Sequence, residues 1–202
     1  MRALVNSLSS DQNAQFLVVV SDELKTVQDE SALRSTLQML PPNLWPRISE
    51  VARLRIENKL IGSIREGQVD LPDRKVRGAL GTWARRFLPY FTLRSQARDA
   101  LLKKLEYGGS GELRYVTGYF SSVLPNVFRE SSDVQNCIAA ISTAIRVGDS
   151  EVRRTLLESI SGYPEEWQKT FARDLKDITD TESPAMYFPD GTPFLKAEEL
   201  PF

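Results

Sequence analysis

Apolar residues along this chain recur at spacings of three and four, and the strict alternation of a half-buried strand is nearly missing. The pattern therefore predicts an all-α fold. Helices are expected over about Asp11 to Lys25, Ser31 to Leu40, Leu44 to Glu66, Arg74 to Leu88, Arg94 to Tyr107, Gly111 to Leu124, Asp133 to Val147, Ser150 to Ser161 and Glu165 to Ile178. Ser31, Ser132 and either Asp149 or Ser150 stand where N-caps belong, since their side-chain oxygens can accept from the free N–H groups of a first helical turn. Gly67, Gly108 and Gly148 follow helical stretches, the place of a left-handed terminal residue.

Four predicted helix ends carry the same mark, Leu40-Pro41, Leu88-Pro89, Leu124-Pro125 and Tyr163-Pro164. Aromatic residues follow each of them: Trp45, Tyr90 with Phe91, Phe128, and Trp167. The prolines are separated by 48, 36 and 39 residues, and a period between about 20 and 50 residues marks a repeat architecture. The segments FLVVVSDELKTVQDESALRSTLQMLP, LLKKLEYGGSGELRYVTGYFSSVLP and IAAISTAIRVGDSEVRRTLLESISGYP each read as helix, short polar turn, and second helix ending at proline. A fourth, LIGSIREGQVDLPDRKVRGALGTWARRFLP, fits with a longer turn around Asp70-Leu71-Pro72-Asp73. A helical hairpin of this size cannot bury both apolar faces alone, and stacked neighbours supply the missing surface.

On those segments, over roughly Asp11 to Ile178, the chain resembles the HEAT-type α-solenoids. The resemblance implies antiparallel helical hairpins stacked as a short solenoid, with about four helix pairs in a domain over residues 1–178. It implies a concave face used for binding, and it brings no catalytic residue. The alternative is a non-repetitive helical bundle in which prolines merely end helices.

Residues 179–202 differ in kind. Pro184, Pro189, Pro193 and Pro201 forbid a long helix there, while Tyr187, Phe188, Phe194 and Phe202 are too apolar for a free tail. The segment reads as an extended C-terminal arm, either packed on the last repeat or offered to another subunit as a peptide-like ligand.

Composition narrows the chemistry. The 202 residues are 41% apolar and 26% charged, which is ordinary for a globular chain. No apolar run approaches the roughly 18 residues of a membrane span, and Asn6, Ser7, Ser9, Ser10 and Asp11 break any secretory h-region. A cytoplasmic setting is expected, because the single Cys137 excludes an internal disulfide framework. The chain has no histidine, the usual general base and the commonest transition-metal ligand. No cofactor, metal, membrane or small-molecule substrate is therefore expected, and the chain reads as non-enzymatic.

Charge is unevenly spread. Residues 42–104 hold 14 Lys/Arg against 6 Asp/Glu, a net of +8, and residues 105–202 hold 9 against 16, a net of −7. Arg74, Lys75, Arg77, Arg85, Arg86, Arg94, Arg98, Lys103 and Lys104 meet only Asp99 within their stretch of sequence. Such a block attracts phosphates or an acidic protein. The expected function is protein binding or scaffolding through a helical-repeat surface, with another protein subunit as partner. Nucleic acid bound by the basic block is the alternative.

Three further residues invite a reading. Arg55 falls on the helix face of Leu44, Ile48 and Val51 and is expected to clamp neighbouring helices, while Arg53 and Glu57 are spaced for a surface ion pair. Gly78 and Gly81 beside Trp83 predict close helix packing with Trp83 in the core, so that Trp83→Ala costs about 3–5 kcal/mol. Cys137, among Ile138, Ala139, Ala140 and Ile141, reads as a small buried hydrophobe.

Overall fold

The computed structural model describes residues 10–70 and 75–176, and these are predominantly helical. The chain divides into two compact units, Met1–Leu101 and Leu102–Phe202. The expected boundary at residue 178 and the arm with Tyr187, Phe188, Phe194 and Phe202 lie outside the described residues, as does Arg74.

The first unit contains α1 (Ser10–Thr26), α2 (Glu30–Met39), a 3-10 helix over Pro42–Arg47, α3 (Glu50–Glu66), strands β1 (Gln68–Asp70) and β2 (Lys75–Arg77), and 3-10 helices over Ala79–Arg86 and Leu88–Tyr90. Helix α4 (Arg94–Tyr107) carries the division between the units. The second unit holds α5 (Ser110–Phe120), a 3-10 turn over Ser121–Val123, the single-turn α6 (Leu124–Val127), α7 (Ser131–Val147), α8 (Ser150–Ile160) and α9 (Glu165–Asp174). No helix among the described residues is long and apolar enough to cross a membrane.

Packing follows the apolar stripes. Leu17, Val20 and Leu24 of α1, Leu33 and Leu37 of α2, and Ala52, Ile56, Leu60 and Ile64 of α3 are buried. Helix α3 packs on α1 and on the Ala79–Arg86 helix, which also meets α2. In the second unit α7 packs on α8 and α9, and α8 packs on α5. Cys137, Ile138, Ile141, Ala144 and Ile145 form the inward face of α7.

The four marked prolines all stand at the start of an element, and one of them also follows an α-helix end directly. Leu40 closes α2, with its N–H donated to the Thr36 carbonyl before Pro41. Pro41 and Pro164 are the N-caps of the Pro42–Arg47 helix and α9, and Pro89 and Pro125 lie in the first turns of Leu88–Tyr90 and α6. A first helical turn needs no N–H from its leading residue, and proline's fixed φ suits it. The aromatic companions are the constant feature, since Trp45, Phe91, Phe128 and Trp167 are all buried.

Two predicted helices break. Leu44 to Glu66 divides because Pro46 sits in a 3-10 helix and Ile48 and Ser49 are extended, the Ser49 N–H being donated to Ser21 Oγ at 3.1 Å. Arg74 to Leu88 becomes an antiparallel hairpin followed by a 3-10 helix, with Val69 opposite Val76 and Asp70 opposite Lys75. Two smaller expectations also change. Asp29, accepting from the Ala32 N–H, caps α2 in place of Ser31, and Glu130 precedes α7 in place of Ser132. Asp149 does cap α8, its Oδ1 accepting from Glu151 and Val152 N–H at 3.1 and 3.0 Å. Gly67 and Gly148 end their helices in extended rather than left-handed backbone.

Among the described residues the left-handed glycine is Gly78, at φ +69° between β2 and the following 3-10 helix. A Cβ there would stand 2.2 Å from the Ser63 carbonyl oxygen and 2.7 Å from Gly67 Cα. Both are backbone atoms that cannot swing aside, and an L side chain at that φ is strained already. Gly78→Ala is therefore expected to cost more than about 2 kcal/mol in urea unfolding; a loss below about 0.5 kcal/mol would show that the hairpin end relaxes freely.

Candidate functional site

Several charged side chains in this fold close helix ends. Arg55 on α3 donates to Leu24 and Val27 carbonyls at 2.9 and 2.7 Å, covering the C-terminus of α1. The expected clamp is thus present, made to backbone carbonyls. Its surroundings differ from the expected face, however, since Leu44 and Ile48 precede α3 and Val51 is 69% exposed. Arg86 repeats the device on α2, donating to Leu37 and Leu40 carbonyls at 3.1 and 3.4 Å. In the second unit Arg153 Nε reaches the Ile145 carbonyl of α7 at 3.1 Å, and Arg146 reaches the Asp174 carbonyl of α9. A cation at a helix C-terminus satisfies orphan carbonyls and opposes the negative end of the helix dipole.

Glu57 is the counterpart at a helix start. It is fully buried on α3. Its Oε1 accepts from Trp45 Nε1 at 2.8 Å and Thr92 N at 3.1 Å, and its Oε2 accepts from Leu93 N at 2.8 Å. Thr92 and Leu93 lead directly into α4, so the carboxylate faces that helix's positive end. The expected surface pair with Arg53 is not formed, because Glu57 points inward. The signal was in the sequence: Glu57 lies four residues before Ile61 and seven before Ile64, on the apolar stripe of α3.

The basic block is correspondingly dispersed. Lys75 and Arg77 lie on β2, opposite Asp70 and Gln68 respectively. Arg77 holds Asp70 through two bonds of 3.1 Å, and the bonds from Arg77 and Gln68 keep the Asp70 carboxyl below the usual carboxylate range. Arg98 Nε is 3.4 Å from Asp99, and Lys104, buried on α4, donates to Glu112 at 3.0 Å. Burial pushes Glu112 up, but the bonds from Lys104 and the Gly109 N–H outweigh it and hold the carboxyl low. Asp70 and Glu112 therefore oppose the block along with Asp99. Arg85 and Lys103 point to solvent and Arg94 is partly exposed.

Trp83 is partly exposed, with the Arg86 guanidinium 6.0 Å from its ring centre. The close approach expected around Gly78 and Gly81 is real, but its partner is α3, where Ser63 Oγ accepts from the Gly81 N–H at 2.8 Å. The buried tryptophan of this unit is Trp45, whose ring centre lies 4.9 Å from that of Phe87 and 6.1 Å from that of Phe91 in the same core.

Cys137 is buried on α7, and burial pushes its thiol well above the ordinary range. Burial does the same to the Tyr163 hydroxyl, so neither group supplies an anion near neutral pH. Arg114 on α5 holds Asp149 and lies 3.4 Å from Glu151, joining α5 to the capped start of α8. Among the described residues no three acids or cysteines gather into a group that could hold a metal ion. No protein-family model matches the chain, and neither a curated protein nor a solved structure matches it.

Proposed function

We propose that the chain is a non-enzymatic protein-binding or scaffold module built as a HEAT-like helical repeat. The observation that carries this reading is the destination of its charged groups. Arg55, Arg86, Arg146 and Arg153 close helix ends, and Glu57 and Asp149 seat helix starts. Groups held in this way stiffen a scaffold and are not themselves free to act as acid or base in a reaction. Neighbour relations support the stacked-hairpin form, because α1 packs on α3 past α2, and α7 packs on α9 past α8. The partner is another protein subunit met in the cytoplasm, with the arm over residues 179–202 as a second contact. A fold alone does not select a function, so the partner class has to be tested directly.

Solvent-facing Arg85 and Lys103 favour the alternative, a nucleic-acid partner. Two measurements on the full chain separate the readings: affinity capture from native extract with and without nuclease, and titration of a labelled mixed-sequence oligonucleotide against salt. Nuclease-resistant protein capture, lost when the chain is ended at residue 178, is expected, with weak oligonucleotide binding. Capture abolished by nuclease, together with a steep log–log salt slope, would replace the protein partner by nucleic acid.

A further inference from the structure

The outward face of α1 carries exposed valines between an acidic first turn and a basic last turn. Val18 and Val19 are 61% and 65% exposed there, while Leu17, Val20 and Leu24 of the same helix are buried. Seven residues of α-helix fall about 20° short of two full turns. Asp11, Val18 and Lys25 therefore run nearly in line down the exposed face, with Ala14, Gln15 and Asp22 also exposed beside them. At about 1.5 Å per residue, Asp11 and Lys25 stand roughly 10 Å to either side of Val18. The line is acidic in the first turn, apolar at its middle and basic in the last turn. Other exposed apolar residues, such as Tyr107 and Val147, stand singly and need no partner.

Such a line is complementary to itself in one orientation. A two-fold axis through Val18 lays a second α1 antiparallel to the first, valine on valine. Asp11 of each copy then falls opposite Lys25 of the other. Parallel alignment would instead set Asp11 on Asp11 and Lys25 on Lys25. We propose that a second copy of this chain docks on the outward face of α1 as an antiparallel two-fold helix pair centred on Val18. Lys25, already 2.9 Å from Asp22 of its own helix, bridges to Asp11 of the second copy. The two-fold closes the assembly at a dimer, and the seven-residue spacing suits a shallow crossing of about 20°. One face of a 17-residue helix is at the small end of specific interfaces, so the dimer exchanges with monomer as concentration falls.

Sedimentation velocity of the full chain over a concentration series tests this. The parent is expected to dimerise reversibly, and Val18→Asp to be monomeric throughout. Asp11→Lys or Lys25→Asp alone makes two like-charge contacts per dimer and is expected to weaken association about tenfold, while the combined swap restores it to within about threefold. All three side chains are exposed, so each variant should keep the parent's circular dichroism, with only a small fall in melting temperature where a reversal opposes the α1 dipole or removes the Lys25–Asp22 pair. A parent that is monomeric at every concentration, a dimer indifferent to Val18→Asp, or single reversals that the double swap does not rescue would each overturn the proposal.

Discussion

Glu57→Ala is expected to lose about 3–5 kcal/mol of stability, as when one partner of a buried charged network is removed. The three donors now satisfied by one carboxylate, Trp45 Nε1, Thr92 N and Leu93 N, come from two places far apart in the chain. Alanine reaches none of them and leaves a void on the inward face of α3. A buried N–H without an acceptor costs about 1–3 kcal/mol on its own. The void also prevents the site from simply collapsing around the loss. Glu57→Gln separates the electrostatic part from the packing part. Its oxygen can keep the two bonds made at Oε1, but its amide N–H₂ then confronts the Leu93 N–H, so about 2 kcal/mol should go with little change in volume. Urea unfolding followed by tryptophan fluorescence gives both losses. Hydrogen exchange at the first amides of α4 should quicken in both variants, because the negative group at that helix's start is removed. If Glu57→Ala stayed within about 1 kcal/mol of the parent, the network would not be holding the Pro42–Arg47 helix and the start of α4 to α3.

The elements that the sequence made legible are those decided by neighbours within one turn. Helix α4 occupies Arg94–Tyr107 as the apolar spacing predicts, and α1 and α2 begin and end within a residue of expectation. The elements it hid are decided from far away. The 3-10 helix over Ala79–Arg86 leans on Ser63, which takes the Gly81 N–H and crowds Gly78 with its carbonyl. No window of ten residues contains both partners. The prolines failed as stop signals for a related reason: fixed φ and a missing N–H suit a first turn as well as the residue after a last one. Charge counting failed at Arg86, whose acceptors at Leu37 and Leu40 lie 49 and 46 positions away. A tally of guanidinium groups says how much positive charge a segment carries, but not which groups the fold turns onto carbonyls.

Trp45→Ala is expected to cost about 3–5 kcal/mol and Trp83→Ala only about 1, the reverse of what the glycine-flanked position of Trp83 predicts. Trp45 is fully buried between Phe87 and Phe91, and its N–H is one of the three bonds on Glu57. Truncation therefore removes a large apolar surface, two ring contacts and a donor together. Trp83 touches solvent, and its named polar contact is the Arg86 guanidinium 6.0 Å from the ring centre. An exposed cation–π contact is worth about 0.5–1 kcal/mol, and Arg86 keeps its carbonyl acceptors when the ring is gone. Trp45→Phe sharpens the comparison: most of the ring volume stays but the bond to Glu57 is lost, so about 1–2 kcal/mol should follow. Combining Trp45→Ala with Glu57→Ala should cost less than the sum of the two, because the singles remove the same hydrogen bond and open the same space. Additive losses would mean that the ring and the carboxylate act independently. A Trp83→Ala loss larger than that of Trp45→Ala would move the anchor of the first unit from the Pro42–Arg47 helix to the Ala79–Arg86 helix.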